Sequence, residues 1–114
     1  MRLRTTLAAV TGALALLAAV PTSASAADGT FLYAYSGLDG HPQVASLENP
    51  ASRECITLPE VANPSSSSPA RYGYNDTGST AVVFENPDCT GTATALEPDT
   101  GGGEHTTFRS VTFS

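Results

Sequence analysis

Ala81-Val82-Val83-Phe84-Glu85-Asn86-Pro87-Asp88-Cys89-Thr90-Gly91 carries an apolar run straight into a polar turn. β-Branched and aromatic side chains suit a pleated strand, so Ala81 to Phe84 is the clearest strand of the chain. Asn, Pro, Asp and Gly then turn the backbone over Glu85 to Gly91, and Thr92 to Leu96 extends it again. The stretch predicts a strand, a turn and a second strand, with Cys89 in the turn.

Working outward, the same alternation of extended runs and turn residues continues in both directions. Pro98 to Glu104 holds Gly101-Gly102-Gly103, a flexible connection, before a closing strand over Thr107 to Phe113. Upstream, Arg71-Tyr72-Gly73-Tyr74 leads into a polar, turn-prone segment from Asn75 to Thr80. Val61 to Ala70 is rich in Ser and Pro, which predicts a mobile surface loop. Glu54 to Leu58 predicts a short strand carrying Cys55 and stopped by Pro59. Phe31-Leu32-Tyr33-Ala34-Tyr35 puts three aromatic rings on one face, and Gln43 to Leu47 returns after a Gly-rich turn, giving a hairpin. No ten-residue window beyond residue 26 has helical period. The expected fold is all-β, a small single-domain sandwich or barrel-like body.

Residues 1–26 read as a signal peptide. Arg2 and Arg4 precede Leu7 to Val20, an apolar run of 14 residues, and Ala24-Ser25-Ala26 supplies small residues for cleavage. A run of that length falls short of the roughly 20 residues that span a bilayer. The expectation is secretion to the extracellular space, with no membrane attachment after cleavage.

The remaining 114 − 26 = 88 residues hold 3 Arg, no Lys and 11 acids, a formal charge of 3 − 11 = −8. That balance argues against nucleic acid or an anionic membrane as partner. The two cysteines, Cys55 and Cys89, permit one pairing, expected as a disulfide in an oxidising compartment.

No catalytic constellation is present, so the chain is expected not to be an enzyme. His41 lies in a Gly-Pro turn and His105 beside the triple glycine, poor settings for a preorganised base. Two His and two paired Cys do not make a zinc set, and no other cofactor is implied. Asn75, Asp76, Ser79 and Thr80 cluster amide, carboxylate and hydroxyl oxygens of the kind calcium takes. Asn75-Asp76-Thr77 also matches an N-glycosylation acceptor.

Two interaction readings remain. Residues 27–47 form an N-terminal arm or hairpin whose Phe31, Tyr33 and Tyr35 anchor another secreted protein by strand addition, with 48–114 as the body. Alternatively, Arg53 or Arg71 serves as the inhibitory contact of a peptidase inhibitor.

The Phe84-Glu85-Asn86-Pro87-Asp88-Cys89-Thr90-Gly91 turn and the closing Phe108-Arg109-Ser110-Val111-Thr112-Phe113 resemble the βγ-crystallin Greek key. Asn75 to Thr80 is similar to the calcium signature of that family but ends in Thr. With Cys55-Ile56-Thr57-Leu58-Pro59 and the Phe-x-Tyr-x-Tyr run, the chain resembles small secreted βγ-crystallin-like proteins of filamentous soil bacteria. These include the adaptor subunit of umbrella toxin particles and, more distantly, peptidase inhibitors. The resemblance implies a Greek-key sandwich and a non-enzymatic adaptor that joins components of an extracellular toxin-type assembly through its N-terminal strand.

Overall fold

A computed structural model describes residues 25–114. The signal peptide expected over residues 1–26 lies outside the described residues except for Ser25 and Ala26. Eight strands follow in order: β1 (Gly29–Ser36), β2 (Pro42–Glu48), β3 (Ile56–Thr57), β4 (Arg71–Thr77), β5 (Ala81–Asn86), β6 (Thr90–Leu96), β7 (Thr100–Gly101) and β8 (Ser110–Phe113). A single turn of 3-10 helix follows β3 at Pro59–Val61, and a tight turn over Pro87–Cys89, with Asp88 and Cys89 at positive φ, follows β5.

The strands form two four-stranded antiparallel sheets ordered β2-β1-β4-β7 and β3-β8-β5-β6. The halves β1 to β4 and β5 to β8 repeat one plan. In each, the second, first and fourth strands lie side by side, and the third strand edges the opposite sheet. That exchange ties the two halves into one body.

β1 is flanked by β2, with Phe31 opposite Leu47, and by β4, with Phe31 opposite Asn75. Successive strand side chains point to opposite faces, which turns Phe31 and Tyr33 inward, where both are buried. Phe31 packs edge-on against Phe113 and Phe108, with ring centroids 5.5 and 6.0 Å apart. Tyr35 is partly buried against the same core. This corrects the arm expected over residues 27–47: β1 is an interior strand, and its aromatic face is consumed by the chain's own core.

Gly73 of β4 makes the aromatic packing possible. A Cβ there would lie 3.0 Å from Phe108 and 3.2 Å from Phe31, tighter than ordinary contact. The strand is thin where the two rings cross it. The second sheet closes the core with Ala81, Val83, Leu96 and Val111.

Three expectations about loops change. β4 runs on through Thr77, because Asn75 and Thr77 face inward as satisfied polar groups rather than forming a turn. The triple-glycine segment contributes β7, which pairs Thr100 with Asn75 and Gly101 with Tyr74.

The Ser-rich loop is pinned. Arg109, 8% exposed, donates through its guanidinium to Val61 O at 2.9 Å, Ser67 Oγ at 3.0 Å and Ser67 O at 2.8 Å. Asn63 adds an internal turn, accepting from Ser65 N through Oδ1 at 2.9 Å and from Ser67 Oγ through its carbonyl at 2.6 Å. Arg109→Met should therefore cost about 2 to 3 kcal/mol, from lost charged hydrogen bonds. It should also make the 61–69 segment the first site of limited proteolysis. An unchanged cleavage pattern would contradict the pinning.

The disulfide joins Cys55 and Cys89, whose Cα atoms are 5.9 Å apart. Cys55 lies just before β3 rather than on it, so the bond clamps this two-residue edge strand to the turn after β5. Ser110 reinforces that turn. Its hydroxyl accepts from Cys89 N at 2.8 Å and donates to Asn86 O at 2.6 Å.

Candidate functional site

The outward face of the first sheet is the uncovered surface that carries the large apolar side chains. Pairing registers place its side chains in rows across β2, β1 and β4: Glu48, Thr30 and Asp76; then Ser46, Leu32 and Tyr74; then Val44, Ala34 and Arg71. One end is acidic, the middle is apolar and the far end carries a cation. A bulge between Leu32 and Ala34 admits Tyr72 as an extra residue, at φ +54°, beside Arg71.

Val44 is 72% exposed, Tyr72 52%, Tyr74 40% and Leu32 37%. Each of these side chains leaves substantial apolar area in water, at roughly 25 cal/mol per Å2. A shallow pocket of about 270 Å3 closes the cationic end, lined among others by Ala34, Pro42, Arg71 and Tyr72.

The β1–β2 turn extends this surface. Gly40 N donates to Gly37 O at 2.9 Å and Gly37 N to His41 O at 2.8 Å, with Gly40 at φ +82°, where a side chain would be strained. The Asp39 carboxylate accepts from His41 N at 3.0 Å and lies 2.9 Å from His41 Nδ1. These hydrogen bonds from His41 hold the Asp39 carboxyl below the usual carboxylate range. Leu38 projects from this fixed turn fully into solvent. Between the turn and the Ser-rich loop lies a cleft of about 480 Å3, with Glu60 and Ser67 in its walls. Burial raises the Tyr33 phenol well above its ordinary range, and the 2.7 Å hydrogen bond that its hydroxyl donates to Glu60 adds to the rise.

The structure redistributes the residues singled out in the sequence. Phe31 and Tyr33 are buried on the core side of β1, so their rings are not presented as anchors, and Tyr35 is partly buried at the edge of that core. Arg53 sits at φ +61°, outside the extended backbone a protease cleft accepts, with its N–H donating to Phe113 O at 2.7 Å. Arg71 lies within β4, paired with Ala34, and not on a convex loop. Arg53 is exposed but held in a left-handed rather than an extended conformation, and Arg71 is held in a strand.

The calcium candidates do not converge. Asn75 is buried, its Oδ1 accepting from Thr77 N at 3.1 Å and Thr77 Oγ1 at 2.7 Å. Its Nδ2 donates to Ser79 O at 2.7 Å and Leu96 O at 2.8 Å. Asp76 points to the opposite, outward face, and Thr80 Oγ1 donates to Glu97 Oε1 at 3.0 Å. Asn75 is thus a structural hub, and its buried amide offers no accessible acceptor for a glycan in the folded chain. Among the described residues no group of three or more His, Cys, Asp or Glu side chains is gathered for a metal. Equal melting temperatures in chelator and in millimolar calcium are expected. A calcium-induced rise of several degrees would restore these side chains to a ligand role.

Sequence reasoning passed over Leu32, Val44, Tyr72 and Tyr74. The available signal was that Leu32 stands opposite the aromatic face of β1, and that the large side chains of β4, Tyr72 and Tyr74, share one face while Gly73, Asn75 and Thr77 occupy the other. Compared with family models, curated proteins and solved structures, the chain matches none.

Proposed function

We propose that this chain is a secreted, non-enzymatic protein-interaction module with a βγ-crystallin-like Greek-key sandwich, acting as an adaptor in an extracellular, toxin-type assembly. One observation carries the reading. The large exposed apolar side chains among the described residues, Leu32, Leu38, Val44, Tyr72 and Tyr74, all belong to the first sheet or its β1–β2 turn. Concentration of apolar surface on one side marks a partner site.

Other features support the same reading. The exchange of third strands between the two halves is the connectivity expected of paired Greek keys. The disulfide suits an oxidising compartment, and residues 1–26 supply the secretory pattern. In this form the N-terminal strand engages a partner through Leu32 on its outward side, while Phe31 and Tyr33 hold the body together.

The test is retention of secreted proteins from the host's culture fluid by the immobilised chain and by a Leu32→Ser, Tyr74→Ser variant. Wild type should retain a defined partner that the variant loses at unchanged melting temperature. Equal retention by both would refute the proposal.

A further inference from the structure

The β2 edge offers a more specific mode of contact. β2 pairs with β1 on one side and with no strand among the described residues on the other. The hydrogen bonds from Asn49 N to Gly29 O and from Gly37 N to His41 O, both 2.8 Å, bracket the β1–β2 ladder. Bonded and non-bonded pairs alternate in an antiparallel ladder. The pairs 31/47, 33/45 and 35/43 are therefore the bonded ones. Gln43, Ala45 and Leu47 spend their backbone groups on β1, and those of Val44, Ser46 and Glu48 face the open side.

This edge lacks the usual devices against pairing. Natural edges are blunted by Lys, bulges, internal Pro or short strands. β2 is seven residues long, its register with β1 is unbroken, Pro occurs only at its first position and the chain has no Lys. The other long edge, β6, presents Thr, Gly and Ala outward, without a large apolar anchor. At β2, Val44 and neighbouring Leu32 supply one.

Charge selects the occupant. Residues 25–114 carry 11 acids against Arg53, Arg71 and the buried Arg109. The one ion pair among the described residues is His41 with Asp39. A second copy would bring a like-charged surface to the edge, whereas a partner bearing cations gains from it. Glu48 stands at the end of the open edge, its carboxylate exposed and accepting from Thr30 Oγ1 at 3.2 Å.

We infer that the open edge of β2 takes an extended segment of another secreted protein as an added strand. That segment sets apolar side chains beside Val44, reaching toward Leu32 over the small Ser46, and an arginine or lysine beside Glu48. Backbone bonds to Val44, Ser46 and Glu48 supply affinity, and the flanking side chains supply selectivity. The inference rests on the interaction-module reading.

The probe is a synthetic heptapeptide alternating valine with threonine and ending in an arginine positioned for Glu48, followed by amide hydrogen exchange. Saturating peptide should slow exchange at Val44, Ser46 and Glu48 by about tenfold or more, leaving Gln43, Ala45 and Leu47, already protected by β1, unchanged. Ser46→Pro removes an outward N–H and no ladder bond, so it should abolish this protection while the melting temperature holds. Absence of protection at millimolar peptide, or equal protection in Ser46→Pro, overturns the inference. Protection that grows with protein concentration alone, with sedimentation as a dimer, assigns the edge to a second copy and overturns it too. If Ser46→Pro keeps the culture-fluid partner that Leu32→Ser, Tyr74→Ser loses, the edge is wrong and the interaction module stands. If neither variant loses it, both fail.

Discussion

Phe31→Ala is expected to destabilise the fold by about 3 to 5 kcal/mol, the range for emptying a buried aromatic site. Phe31 is fully buried and touches two rings of the distant closing segment, Phe108 and Phe113, as well as Tyr33. Its truncation would leave a cavity that a sandwich pinned at both sheets closes poorly. Against a total of roughly 5 to 15 kcal/mol for a domain, that loss brings the protein close to unfolding at ambient temperature. Removing residues 27–47 should go further. It deletes β1 and all but the last residue of β2 and leaves no folded body, visible as loss of dispersed amide resonances. Urea titration of Phe31→Ala checks the first claim, and a midpoint within experimental error of wild type would return β1 to the role of a detachable arm.

Loss of the disulfide is the second large effect. Cys55 and Cys89 are 34 residues apart in sequence, and closing a loop of that size stabilises by about 3 to 4 kcal/mol on the chain-entropy view. The structural consequence is local. β3 meets its sheet only through Ile56 opposite Val111 and Thr57 opposite Ser110. The turn it is clamped to holds Asp88 and Cys89 at φ +60° and +57°, a region costly for residues other than Gly. In the Cys55→Ser, Cys89→Ser variant the amides of Ile56, Thr57 and Asp88 should lose exchange protection before those of β1 and β5. Uniform loss across both sheets would show that the bond acts on global unfolding alone.

The same residues explain what was legible in the sequence. The hairpin of β1 and β2 and the β5 strand read directly, because alternation and turn chemistry are local. The disulfide read directly because two cysteines allow one pairing. Phe31, Tyr33 and Tyr35 could be assigned to a common face, but not to the core. Which way that face turns is set by pairing with β4, some forty residues on. β4 itself was hidden because Asn75 and Thr77, inward positions, are polar and mimic a turn until their hydrogen bonds are seen. Arg109 stands in the closing strand read over Thr107 to Phe113, and its role depends on carbonyls of Val61 and Ser67, more than forty residues away. Leu32, Tyr72 and Tyr74 were in plain view, yet their importance follows only once the opposite faces of β1 and β4 are known to be filled.

The central claim is that the first sheet has one face for the core and one for a partner. The most direct measurement is the affinity of the purified partner for Leu32→Ser, Tyr74→Ser, beside a control substitution at Thr94 on the exposed strand of the second sheet. The double variant should bind at least about tenfold more weakly, a change of roughly 1.4 kcal/mol, with melting temperature and the control unchanged. Undiminished affinity in the double variant, or an equal loss in the Thr94 control, would contradict the account.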